Sequence, residues 1–221
     1  MSITQIIVQY WPRLLEGLAL TVEITIISLF IAGILGLVFG LLSVSKSKIP
    51  RAIALVYVDI VRGTPLLVQA FFIYFGVPTV LGIQSDSFIS GIITLSLNAG
   101  GYLAEIFRGG IESISKGQME AARSLGLPYG MAMRSVILPQ AVRTMTPALI
   151  NQCIITLKDT SLLSVIGVAE LTQTGRLIIA NNYESFKVWA IVAVMYFVII
   201  MILSKISKRI ERKMSYGKSE N

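Results

Sequence analysis

Between Ile24 and Leu42 the chain runs nineteen residues without a charged side chain. A helix needs about twenty apolar residues to cross roughly 30 Å of hydrocarbon, and inside a bilayer only helices and closed barrels satisfy every backbone amide. This run therefore commits the chain to a membrane fold. Val188 to Ser204 repeats the signal near the other end. With 54% hydrophobic and 14% charged residues, the whole chain carries the balance of a membrane protein. Arg13, Glu16 and Glu23 precede the first run where a signal peptide would have a basic region, and no A-x-A-like site follows it. The first span is therefore expected to be retained.

Three interrupted stretches lie between these runs. Ala52 to Val80 is apolar apart from Asp59 and Arg62, Ser87 to Phe107 carries only Glu105, and Ser135 to Leu157 carries only Arg143. The reading is an all-α membrane protein, one transmembrane domain over residues 1–221, with five transmembrane helices at about 18–42, 52–80, 87–107, 135–157 and 187–205. The one cysteine, Cys153, falls inside the fourth, so no intrachain disulfide forms.

The net charge of +7 is unevenly spread. Lys46, Lys48 and Arg51 follow the first span; Arg108, Lys116, Arg123 and Arg134 follow the third; Lys205, Lys208, Arg209, Arg212, Lys213 and Lys218 fill the tail. Basic loops face the cytoplasm, which predicts an outside N-terminus, a cytoplasmic C-terminus and a cytoplasmic segment 112–134. The long loop after the fourth span is the exception, with Lys158, Arg176 and Lys187 matched by Asp159, Glu170 and Glu184. No basic patch is interleaved with aromatics, which excludes nucleic acid as a partner.

Segment 112–134 has local punctuation. Ser115 and Gln118 have capping-box spacing, so a short helix begins near Lys116 and carries Met119, Glu120, Ala121, Ala122 and Leu125. Gly126 ends it, Pro128 opens the next helix, and Pro139 is expected to kink that helix. Such a helix either docks into a partner's groove or lies on the membrane surface; the residues alone allow both.

Polar residues inside spans are costly and mark either packing or a path. Arg62 is eleven residues beyond Arg51, about 16 Å along a helix, near mid-membrane. Asp59 is three residues earlier on the same face, and the two are expected to pair unless Arg62 meets a substrate carboxylate. Gly63-Thr64-Pro65 then interrupts the helix, and interrupted helices line transporter paths. Asn151, Gln152, Lys158 and Asp159 bring amides and both charge signs to the end of the fourth span, where they either hold a ligand that carries both charges or simply face water. Asn98 is expected to make an interhelical hydrogen bond or to line the path. Glu105 and Arg108 should form an ion pair, and Ala32, Gly36 and Gly40 should allow close helix contact. Trp11, Tyr57 and Trp189 are expected at the membrane interface. There is no phosphate-binding loop, no histidine and no metal-ligating cluster, so neither catalytic nor metal residues are assigned, and energy must come from elsewhere. Five helices are few to enclose a path, so two chains should pair across a two-fold axis.

The order Glu120-Ala121-Ala122, Gly126, then Val136, Leu138 and Pro139 resembles the EAA loop of ABC-importer permeases, with valine where the pattern has isoleucine. "VRGTPLLVQAFFIYFG" (61–76), "AEIFRGGI" (104–111) and "KDTSLLSVIGVAEL" (158–171) resemble the polar amino acid uptake branch, the histidine, glutamine, arginine and cystine permeases. The resemblance covers about residues 14–205. It implies a bacterial cytoplasmic-membrane subunit whose Met119 to Gly126 segment is a coupling helix seated on an ATPase. It also implies two ATPase subunits that hold ATP and Mg, a second permease chain (identical or sister), an extracellular binding protein, and a polar amino acid as cargo. The competing reading is an ATP-independent transporter or channel.

Overall fold

The computed structural model describes residues 1–215, with side chains through Ile210; Lys218 of the basic tail lies outside the described residues. It is helical throughout, with no strand among the described residues. Helix α1 is Ile3–Ser43, α2 Lys48–Gly63, α3 Leu66–Leu81, α4 Ser87–Glu112, α5 Lys116–Ser124, α6 Tyr129–Ile166, α7 Leu171–Asn182 and α8 Ser185–Ser215. Helices α1, α4, α6 and α8 are each long and apolar enough to span a bilayer, and α2 with α3 makes a fifth span if the bent pair is taken as one.

The bundle is built with its small and polar residues inside. On α1 the buried stripe is Gly17, Thr21, Thr25, Ser28, Ala32, Gly36, Gly40 and Ser43, whereas Phe30, Ile34, Leu37 and Leu41 face outward. Lipid is as apolar as leucine, so helices associate through close backbone approach and hydrogen bonds instead of through burial of bulk. Ala32, Gly36 and Gly40 do what their spacing predicts: α1 makes its most extensive contact with α4, and Ala32 packs with Ala99 and Leu103. Thr21 and Thr25 return their hydroxyls to the Gly17 and Thr21 carbonyls, at 3.0 and 2.7 Å, and stay satisfied without water.

Helix α1 begins some fifteen residues before the predicted span. Arg13 and Glu16 are exposed, while Ile6, Tyr10 and Leu14 are buried against Leu171, Ile178 and Val188 of α7 and α8. The charged residues therefore sit on one face of a helix that continues. The predicted loop between the last two spans is mostly helical too. The end of α6 tightens into a 3₁₀ turn over Thr160–Ile166, Gly167 (φ 84°) reverses the chain, and α7 follows.

Glu170 is not the surface charge that the sequence suggested. It is fully buried, caps α7 by accepting from the Thr172 and Gln173 amides at 2.9 and 2.8 Å, and accepts the Tyr196 hydroxyl at 2.6 Å. A carboxylate at a helix N-terminus satisfies amides that have no intrahelical partner and interacts favourably with the helix dipole. Glu184 and Lys187 do pair, at 2.8 Å, and Lys187 and the chain-terminal ammonium hold the Glu184 carboxyl down to about 2.

Two prolines each follow a π-turn. Met133–Ile137 precedes Pro139, and Phe72–Gly76 precedes Pro78. A π-turn shifts the hydrogen-bond register by one, so the carbonyl facing the proline ring needs no amide from it. Tyr57, expected at the membrane interface, instead lies between helices: its hydroxyl donates to the Leu97 carbonyl at 2.8 Å and its ring stacks on Phe39. Trp11 and Trp189 are partly exposed on the outer surface.

Candidate functional site

The second span breaks at Thr64 and Pro65, and its halves meet at 104°. The cause is local. Pro65 offers no amide to α2 and biases Thr64 to extended backbone, observed at φ −120°, ψ 141°. The carbonyls left at the end of α2 find side chains: Thr64 donates to the Ile60 carbonyl at 2.8 Å, and Gln69 Nε2 donates to the Val61 carbonyl, the Thr64 carbonyl and the Thr64 hydroxyl at 2.7, 3.1 and 2.8 Å. Gln69 thus splints the break from the far side. Sequence reading missed it, since an amide in the first turn after a proline carries no local sign that it reaches back.

At the break lies a cavity of about 520 Å³ lined by Arg62, Gly63, Thr64, Pro65 and Leu66, by Asn98 and Tyr102 of α4, and by Gln152, Ile155 and Asp159 of α6. It gathers four of the six residues that the sequence singled out as path candidates. Asn151 and Lys158 are exposed and do not line it, because on α6 they fall on other faces than Gln152 and Asp159. The cavity therefore holds a guanidinium, a carboxylate and two side-chain amides.

Arg62 does not pair with Asp59. Its Nη1 donates to Glu105 Oε2 at 2.8 Å, and its guanidinium lies over the Tyr102 ring, 5.6 Å from the centroid. Glu105 also holds Arg108 through two bonds of 2.8 and 3.0 Å, and Arg108 reaches Glu112 at 2.6 Å. The predicted Glu105–Arg108 pair is thus one link of a chain that crosses from α2 to α4. Helix propensity favours i, i+3 partners only when neither finds a better one across the interface. A double-mutant cycle should follow this geometry: transport loss in Arg62→Ala and Glu105→Ala couples by about 0.5 kcal/mol or more, whereas Arg62→Ala and Asp59→Ala add independently. Additivity in the first pair would contradict the assignment.

Asn98 makes the expected interhelical bond, donating Nδ2 to Gln69 Oε1 at 3.1 Å, and also lines the cavity.

Beyond the C-terminal end of α4, α5 follows as a short helix. Ser115 caps it from Lys116 onward, accepting from the Gly117 amide at 3.3 Å; the reciprocal bond of a capping box, from Gln118, does not form. Its end is a Schellman motif: Leu127 N–H reaches the Ala122 carbonyl at 3.2 Å, Gly126 N–H reaches that of Arg123 at 3.0 Å, and Gly126 takes φ 84°. Ala122 is buried and Met119 half-buried, whereas Glu120, Ala121, Leu125 and Gly126 are exposed, Leu125 to 83%.

A polar cavity folded around a broken membrane helix is the architecture of a transport subunit. Residues 21–216 match the binding-protein-dependent transport system inner membrane components, and the chain belongs to that family as a multi-pass inner-membrane protein. It is 44% identical over 204 residues to the glutamine transport system permease protein GlnP of Escherichia coli K12, covering 92% of this chain and 93% of that one. It is 40% identical over 203 residues to the arginine transport system permease protein ArtQ of Bacillus subtilis 168, with the same coverage, 92% and 93%. The crystal structure of an amino acid ABC transporter with histidines superposes at a TM-score of 0.91 with 38% identity, covering 96% of this chain and 99% of the other.

Proposed function

We infer that this chain is the membrane subunit of an ABC importer that carries a polar amino acid into a bacterial cell. The observation that carries the inference is the cavity at the broken span, where a cation, a carboxylate and amides stand together in a chain similar throughout to amino acid permeases. A zwitterion requires both signs within one site, held by charge-assisted hydrogen bonds. Arg62 is placed to meet the carboxylate of the cargo, and Asp159 and the amide oxygens of Asn98 and Gln152 its ammonium. Asn151 and Lys158 are exposed at the same end of α6 and border the route instead of lining the cavity.

The distribution of basic residues supports an outside N-terminus and a cytoplasmic α5. In that orientation Met119, Glu120, Ala121, Ala122, Leu125 and Gly126 form the coupling element: Ala122 seats α5 on its own chain, and the exposed residues face an ATPase subunit. Two such ATPases bind ATP and Mg, this chain needs no cofactor of its own, and a second permease chain, identical or sister, completes the path. An extracellular binding protein delivers the cargo. Membership in a binding-protein-dependent family does not favour an ATP-independent carrier.

Reconstitution into liposomes with a cognate ATPase and binding protein tests this. Uptake of L-glutamine or L-arginine is expected only with all three proteins and ATP. Uptake by the permease alone would establish the ATP-independent reading.

A further inference from the structure

Gln69 does not itself line the polar cavity, yet its hydrogen bonds decide what Asn98 shows there. Nitrogen and oxygen of a side-chain amide are told apart by their partners. On one side of the Gln69 amide stand the Val61 carbonyl, the Thr64 carbonyl and the Thr64 hydroxyl, at 2.7, 3.1 and 2.8 Å. Both carbonyls can only accept, so Gln69 must turn Nε2 toward them. Its Oε1 is then forced toward α4, where it can only accept, and Asn98 must answer with Nδ2, as observed at 3.1 Å. Asn98 Oδ1 is left over. Among the described residues no hydrogen bond reaches it, and it is not among the polar atoms sealed from solvent without a partner, which are Ser96 Oγ, Gln173 Oε1 and Asn182 Nδ2. Asn98 lines the polar cavity, whereas Gln69 lines a second, largely apolar cavity of about 520 Å³ with Phe72 and Ile73, and Thr64 stands between the two.

We propose that Gln69 is a positioning and specificity-determining residue: by fixing the Asn98 amide it makes the cavity present a hydrogen-bond acceptor there, selecting cargo with a protonated amine. The proposal rests on the cavity being the cargo site. Gln69 acts through Asn98, and the same bonds tie this acceptor to the span break, so a rearrangement at Thr64 and Pro65 releases the amide.

The test uses the assembled permease–ATPase complex in nanodiscs and two probes, L-glutamine and glutaramate, which carries hydrogen in place of the α-ammonium. The wild type is expected to prefer glutamine by roughly tenfold or more, since loss of a charge-assisted bond at a desolvated acceptor is costly. Gln69→Met keeps the side-chain length, removes both partners and leaves Asn98 free to turn. The preference should then fall by roughly fivefold or more, mainly through weaker glutamine binding. Gln69→Glu in its protonated form keeps an O–H donor for the Val61 and Thr64 carbonyls and an oxygen for Asn98, so at a pH low enough to protonate it this variant should retain the preference even if Gln69→Met fails to assemble. Asn98→Asp in the Gln69→Met background should restore it, because a carboxylate accepts from both sides. Equal weakening of both probes by Gln69→Met, or loss of preference in protonated Gln69→Glu, overturns the proposal and leaves the cavity reading standing. A wild type that binds neither probe, or binds them equally, overturns the cavity reading and the proposal with it.

Discussion

Gly36→Val is expected to keep the permease from accumulating as an assembled, monodisperse complex. A Cβ at position 36 would lie 2.5 Å from the Leu103 Cβ, 3.2 Å from the Leu103 carbonyl carbon and 3.2 Å from the Ala104 amide nitrogen. Two of these three atoms are backbone and the other is attached directly to it, so no rotamer change relieves the contact; α1 and α4 must separate. Overpacking of this kind costs about 1–3 kcal/mol when the core can adjust. Here it opens the most extensive helix contact of the bundle, where a Cβ at Gly40 would likewise crowd Phe107 Cβ and the Ala104 carbonyl oxygen, at 2.9 and 3.0 Å. Gly33→Val is the matched control. It adds the same β-branched residue to the same helix, but nothing lies within 4 Å of a Cβ there. Fluorescence-detected size exclusion and thermal melting of the two variants should separate them clearly, with Gly33→Val near the wild type. Equal melting of the pair would show that helix propensity, not contact with α4, governs α1.

The same contrast explains what was legible beforehand. Gly36 and Gly40 could be read because small residues four apart have one main use in a membrane helix. The break at Thr64 and Pro65 was legible for a similarly local reason, the missing proline amide, whereas the bond by which Gln69 reaches back across it to Val61 was not. Arg62 was recognised as a costly charge, but its partner was misjudged: Asp59 is close in sequence, while Glu105 is brought near only by packing of α2 on α4. Helix α7 escaped notice because its N-cap is a glutamate, and a buried carboxylate satisfied by two amides and a tyrosine looks from sequence like any loop charge. Arg62, Asn98, Gln152 and Asp159 each stood out as polar in an apolar stretch. Their convergence on one cavity, and the exclusion of Lys158 and Asn151 from it, depends on the rotation of α6 about its axis, which no local pattern encodes.

Gly126→Val is expected to leave the chain assembled in the membrane and the complex hydrolysing ATP, but to lower uptake by roughly tenfold or more. The side chain has room, since nothing lies within 4 Å of a Cβ at this position. The obstacle is the backbone: φ 84° is the left-handed conformation, which costs a residue with a Cβ about 1–2 kcal/mol, and more where the side chain branches. Relief means leaving that conformation, and with it the Schellman bonds from Leu127 to Ala122 and from Gly126 to Arg123, so α5 loses its fixed exit angle. The bundle itself loses no contact. Force from an ATPase can move the spans only through a helix whose orientation is fixed at both ends, and the stop at Gly126 leads within three residues to α6, which carries Gln152 and Asp159 of the cavity. Glu120→Lys should give the same uncoupling by another route, reversing a charge on the exposed face of α5 while leaving the Schellman stop intact. Measured together, ATPase rate and uptake distinguish the causes: hydrolysis without uptake in both variants locates coupling at α5, whereas full uptake in both would remove it from that role.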